Sequence, residues 1–264
     1  MTEILTLILM GALAGVLAGL LGIGGGALIV PVLALFFQKQ GVDPEVIMKT
    51  ALGTSLATII FTAASSVRAH HKRGAVRWQI VRRITPGIVL GSLLGAGVAA
   101  ALPGRVLHAI FPVFMFLVAA QMLRPTSATQ AHRKELPGRV GVTGAGTAIG
   151  VLSAIFGIGG GSLSVPFMTW FSVPVRNAIA TSSAIGFPIA VASTLGYVVA
   201  GWGVAGLPPW SIGYVNLPGF TGVVIASTLC APFGAAIAHR ISETALRRIF
   251  AAFLVVLGLR MMFS

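Results

Sequence analysis

Six stretches of this chain contain no Asp, Glu, Lys or Arg: Ile4–Gln38, Thr50–Val67, Ile84–Gly104, Val106–Leu123, Val140–Val175 and Asn177–His239. A helix of about 20 apolar residues crosses the hydrocarbon core of a bilayer. Within that core the backbone has no water to bond, so only helices and closed barrels cross it. Barrel strands would show as short alternating segments, and these are absent. Only 9% of the residues are charged and the mean hydropathy is +0.97, against about 25% charged in soluble domains. The fold class expected is an all-α, multi-pass membrane protein.

The first run is too long for one straight helix. Ile4–Phe37 has 34 residues, about 51 Å at 1.5 Å per residue, against about 30 Å of hydrocarbon. It also contains a glycine run, Gly24–Gly26, inside GLLGIGGGALIVPV (Gly19–Val32), which recurs as Gly159–Gly161 inside AIFGIGGGSLSVPF (Ala154–Phe167). With Gly22 set on Gly157, 135 residues on, Gly22 to Gly26, Leu28, Val30 and Pro31 all meet identical residues. Each glycine disfavours a helix by about 1 kcal/mol relative to alanine, and the following proline removes a backbone donor. Two arms around each run therefore fit better than one rod. The competing explanation is close helix packing, which small residues permit.

The duplication extends further. Thr181-Ser182 matches Thr54-Ser55, and Leu107, Ile110, Phe111 and Met122 match Leu246, Ile249, Phe250 and Met261 at a spacing of 139. Residues 1–123 form a first repeat and residues 140–264 a second, joined by the polar linker 124–139, RPTSATQAHRKELPGR. Each repeat has four segments and opens with a Gly-broken, re-entrant or hairpin helix. The two make one integrated transport domain.

Basic residues set the expected topology. If each broken element crosses once, the 18 Lys and Arg divide 11 to 7 between the two sides. If each is a hairpin, one side holds Arg68, Lys72, Arg73, Arg77, Arg82, Arg83, Arg124, Arg133, Lys134, Arg139, Arg176, Arg240, Arg247 and Arg248, and the other only Lys39, Lys49, Arg105 and Arg260. The second division is cleaner and predicts inverted repeats with both termini outside. The N-terminus has neither a basic n-region nor an A-x-A cleavage site, so a retained first helix is expected.

The net charge of +13 falls in the loops, where topology and anionic lipid headgroups account for it better than nucleic acid does. A single cysteine, Cys230, leaves no intrachain disulfide or zinc site. No cofactor is expected.

The acidic residues are Glu3, Asp43, Glu45, Glu135 and Glu243, all at ends or in connections. Intramembrane carboxylates mark cation and proton pathways, so their absence argues against a cation antiporter. His70, His71, His108 and His239 lie near span ends and read as interfacial, though able to titrate. A core without fixed negative charge repels an anion little. A half-helix beginning near Ala27 or Ser162 presents unpaired N–H groups and a positive dipole end, and glycine lets an oxyanion approach the backbone. The candidate substrate-binding residues are Gly24, Gly25, Gly26, Ala27, Thr54 and Ser55 in the first half. In the second they are Gly159, Gly160, Gly161, Ser162, Thr181 and Ser182. Ser162 and Ser164 stand where the first half has Ala27 and Ile29, so the site is only quasi-symmetric. The alternative for the Thr-Ser pairs is bonding back to the preceding helical turn.

Ser162 after three glycines suggests a serine hydrolase, but no histidine lies in either glycine-bearing element to serve as base. GIGGG resembles a dinucleotide loop, yet no βαβ unit surrounds it. An enzyme is not expected.

The paired GIGGGALIVP and GIGGGSLSVP, with TALGTSL, ATSSA and the Trp210–Asn216 segment, resemble the TauE/SafE family of sulfite exporters over nearly the whole chain. That resemblance implies a multi-pass protein of a bacterial inner membrane exporting sulfite, sulfoacetate or related organosulfonates. The expected partners are a small anion and membrane lipid, with homodimerisation open. A passive anion channel of the same architecture and a non-transporting scaffold remain alternatives.

Overall fold

The computed structural model describes residues 9, 11–16, 26–123, 137–237 and 243–263. Gly24, Gly25 and most of the linker, 124–136, lie outside them. The elements are α1 Gly26–Lys39, α2 Pro44–Lys72, α3 Trp78–Ala101, α4 Gly104–Leu123, α5 Arg139–Ile155, α6 Gly161–Trp170 and α7 Val175–Ala200. A two-stranded hairpin follows, β1 Ser211–Ile212 and β2 Val215–Asn216, then α8 Leu217–Ile237 and α9 Glu243–Met262. Helices α2, α3, α4 and α7 are each long and apolar enough to cross a membrane.

Local chemistry sets the boundaries. Asp43 caps α2 by accepting the Glu45 N–H at 2.9 Å. Pro44 fills the first helical position, where a missing N–H is no loss. The Glu45 carboxylate in turn accepts the Gly104 N–H at 2.7 Å and so caps α4. Before α8 the chain makes the β1–β2 hairpin. Gly213 turns it at φ +54°, a conformation glycine takes without steric penalty. Asn216 then starts α8 by accepting the Gly219 N–H at 2.8 Å.

Helices α2 and α7, which carry the matched Thr-Ser pairs, pack antiparallel. Gly53 lies against Tyr197 at one end, while Ser66 bonds Ser183 at 3.2 Å towards the other. Helix α3 runs parallel to α5 at backbone contact. Gly87 meets Thr143, Gly91 meets Thr147 and Gly95 meets Val151, with Gly146 and Gly150 answering from α5. The segment 11–16 lies on α8 in the same way, with Gly11 on Val223 and Gly15 on Ser227. Thus the third of the four segments of each half, α3 or α8, packs on the first element of the other. Small residues four apart permit this close approach.

Contacts of α3 and of the 73–77 connection place the two ends of the α5–α6 element. Arg139 opens α5 at the level of Arg83, because α3 and α5 are parallel and in register at Gly87 and Thr143. After α6, Asn177 at the start of α7 donates to the Ala75 carbonyl at 2.8 Å. Both ends of the α5–α6 element therefore lie at the end carrying the 73–77 connection, hereafter the basic end. Lys39, Lys49 and Arg105 lie at the opposite end, which carries the β1–β2 hairpin: Lys49 approaches the Tyr214 ring at 6.0 Å.

Candidate functional site at the second glycine loop

The glycines of the second run do different work. Helix α5 ends in a Schellman motif: Ile158 N–H bonds Ser153 C=O at 3.0 Å and Gly157 N–H bonds Ala154 C=O at 3.4 Å, with Gly157 left-handed at φ +61°. Such a turn favours glycine because a Cβ crowds the left-handed backbone. Gly160, at φ +75°, caps the start of α6. Helix α6 thus begins at Gly161, one residue before the expected Ser162. Among the described residues, the N–H groups of Gly161 and Ser162 make no backbone bond, as expected of a first helical turn.

The loop is seated at the middle of α2. Ser55 donates to the Gly157 carbonyl at 3.1 Å. Gly26, the first described residue of α1, abuts Gly157, Ile158 and Ile59 so closely that any side chain would collide. Ala27 beside it is 2% exposed. From α7, Gly186 faces the Gly159 carbonyl. Ser164 Oγ sits 2.8 Å from Gly160 C=O and 2.9 Å from Ser182 Oγ. With its single proton on that carbonyl, it accepts from Ser182.

The four Thr-Ser hydroxyls divide by residue type. Ser55 bonds the glycine loop directly, and Ser182 pairs with Ser164, which bonds the Gly160 carbonyl. Thr54 and Thr181 point elsewhere. Thr54 accepts the Asn216 N–H at 2.9 Å, and Thr181 accepts the Arg77 N–H at 3.0 Å. Asn216 and Arg77 immediately precede α8 and α3, so each threonine holds the entry to the third segment of the other half. None of the four bonds back along its own helix in the way that Thr58 and Thr62 do.

Electrostatically the interior is neutral. Every buried polar side chain among the described residues is a serine, a threonine, Asn216 or one of the tyrosines Tyr197 and Tyr214. Seven hydroxyls there make no hydrogen bond. Two of them flank the loop: Ser162 on the first turn of α6, 8% exposed, and Ser153 on the last turn of α5, fully buried.

Sequence reasoning missed Ser153 and Asn216. Asn216 could have been found, since it is the only amide side chain between Asn177 and His239. Ser153 carried a fainter signal, a lone hydroxyl four residues before Gly157 at the end of an apolar segment.

A bundle of apolar helices, with a neutral core and a glycine-broken element at its centre, defines a multi-pass helical membrane protein. The profile of the family described as "Sulfite exporter TauE/SafE" matches residues 7–261, and the chain belongs to that family. It is 36% identical to a "Probable membrane transporter protein" of Haemophilus influenzae over 98% of both chains. It is 30% identical to one of Methanocaldococcus jannaschii over 97% of this chain and 94% of that one. No solved structure matches. The protein is a membrane transporter and not an enzyme.

Proposed function

We propose that the protein is a secondary carrier exporting small sulfur-containing anions, such as sulfite, sulfoacetate or other organosulfonates, across a bacterial inner membrane. The anion is held near the middle of the bundle at the start of α6, by the Gly159–Ser162 backbone and the Ser162 hydroxyl. One observation carries this reading: Ser162 Oγ is buried without a partner on the first turn of a helix whose leading N–H groups are also free. A buried unpaired hydroxyl is costly, and the positive end of a helix favours an anion there. The charge-free interior adds no repulsion. In the first half Gly26 faces this loop with Ala27 beside it, Gly24 and Gly25 remain candidates outside the described residues, and Ser55 and, through Ser164, Ser182 hold the loop.

The two halves are related by inversion, each opening with a hairpin. Three features support this: the antiparallel packing of α2 and α7, the reciprocal packing of third segments on first elements, and the shared end of α5 and α7. Such inverted repeats with broken helices at the midplane suit alternating access.

Flux of labelled sulfite, sulfoacetate and taurine in proteoliposomes tests the function. Saturable counterflow with at least one of them is expected. Non-saturating flux would make the protein a channel, and no flux with any anion would sink the proposal.

A further inference from the structure

Seven buried hydroxyls among the described residues have no partner, whereas the buried or half-buried Thr62, Thr85, Thr147, Ser164 and Ser183 each find a carbonyl one turn back. Ser153 does not, although it sits in the last turn of a regular helix with carbonyls in reach. Its carbonyl is held by the Ile158 N–H at 3.0 Å, so its backbone is fixed. Its side chain is fully buried and unpartnered. The Oγ lies 3.4 Å from where a Cβ on Gly160 would stand. It is therefore aimed at the glycine loop, at a residue with no side chain of its own.

Resting on the proposed anion site, we infer that Ser153 is a further substrate-contacting residue, and that with Ser162 it makes this loop the single anion site of the chain. The ligand class is a compact oxyanion headgroup, sulfite or sulfonate, taken up by neutral donors only: two hydroxyls and the N–H groups that open α6. An oxyanion supplies the acceptor that both hydroxyls lack. The sequence repeat explains why there is one site. Residues matched to Ser153, Ser162 and Ser164 are Ala18, Ala27 and Ile29, and none of these carries a side-chain donor. The first glycine run thus repeats the glycines without the hydroxyls.

The experiment uses the purified full chain in detergent, with sulfite and sulfoacetate as probes. Thermal unfolding is measured without ligand, and affinity and stoichiometry by calorimetric titration, for the parent, Ser153→Ala and Ser162→Ala. Ser153→Ala should fold and unfold like the parent, because no protein hydrogen bond is lost, and alanine removes an unpaired polar group from the interior. Its affinity for both anions should nevertheless fall about 10- to 150-fold, the range for a lost hydrogen bond to a charged ligand. The parent should bind one anion per chain. A Ser153→Ala variant that loses stability or fails to fold would show a structural hydroxyl and overturn the inference. So would parent-like affinity in Ser153→Ala while Ser162→Ala is weakened, an outcome that leaves the loop itself as the site. Two anions per chain would overturn the claim of a single site. Binding unaffected by either change, or no binding by the parent, would remove the loop reading and this inference together.

Discussion

Thr54 and Thr181 occupy equivalent places in the two halves, and each accepts an N–H from across the molecule. Valine keeps their shape and removes the acceptor, so Thr54→Val and Thr181→Val isolate those two bonds. The surroundings rank them. The N–H facing Thr54 belongs to Asn216, which is 3% exposed, so water cannot replace the lost acceptor. Arg77, which faces Thr181, is an exposed residue in a connection, and its N–H can rehydrate. An unsatisfied buried N–H costs about 1–3 kcal/mol, and hydrogen bonds between membrane helices are worth about 0.6 kcal/mol on average. Thr54→Val should therefore cost about 1–2 kcal/mol, a fall in Tm of about 2–8 °C for a chain of this size. Thr181→Val should cost less than about 1 kcal/mol. Thr54 and Ser66 are 12 residues apart on α2, about 18 Å, and Ser66 bonds the neighbour but one of Thr181. The two sites are thus far enough apart for their costs to add within about 0.5 kcal/mol. Thermal unfolding of the two single variants and the double variant, without ligand, checks this. Unchanged stability in Thr54→Val, or a larger loss in Thr181→Val, would refute the reasoning. Each threonine also keeps its own proton, for which no acceptor stands among the described residues. Anion affinity measured on the same variants therefore shows whether they touch substrate as well.

The remaining predictions concern packing, capping and topology. Gly91→Ala should destabilise by about 1–3 kcal/mol, because its Cβ would strike the Thr147 backbone. Gly97→Ala, on the open face of the same helix, should be neutral or up to about 1 kcal/mol stabilising; thermal unfolding of both variants compares them. Glu45→Ala removes the cap on Gly104 and should cost about 1 kcal/mol, at the low end because the side chain is exposed. In a Cys230→Ser background, single cysteines at positions 2 and 130 should label from opposite faces of the membrane. Labelling from one face would rule out the hairpin topology.

Much of this was legible in the sequence, for identifiable reasons. Length and apolarity located α2, α3, α4 and α7, because a bilayer imposes both on any helix that crosses it. The helix break was legible at Gly159–Gly161 because glycine runs and a following proline act on the backbone itself, whatever surrounds them. What a hydroxyl bonds to was not legible. Thr54 and Ser55 are adjacent in sequence but point to different elements, and their partners, Asn216 and Gly157, lie 162 and 102 residues away. The β1–β2 hairpin was hidden by the apolarity of Ile212, Tyr214 and Val215, which suits a helix as well as a strand. Gly87, Gly91 and Gly95, four residues apart, could have announced a helix–helix face, but their spacing does not name α5 as the partner.

Close packing and anion binding were competing explanations for the glycine runs, and the structure shows packing and capping roles for three of the described glycines. Gly26 is a packing glycine, pressed on the Gly157 carbonyl and Ile59. Gly157 is a capping glycine, left-handed and enclosed by Val30 and Leu52. Gly160 is left-handed and lies under Ile189 as well. A bulky residue at any of the three would unfold the region for reasons unrelated to an anion, so loss of transport there says nothing about binding. The discriminating residues are instead those that fold without using their polar atoms. Ser153 and Ser162 are buried and unpaired, and no described partner depends on either hydroxyl. A hydroxyl that the fold does not use can be removed without disturbing the fold, so any loss of anion affinity that follows reports on the anion.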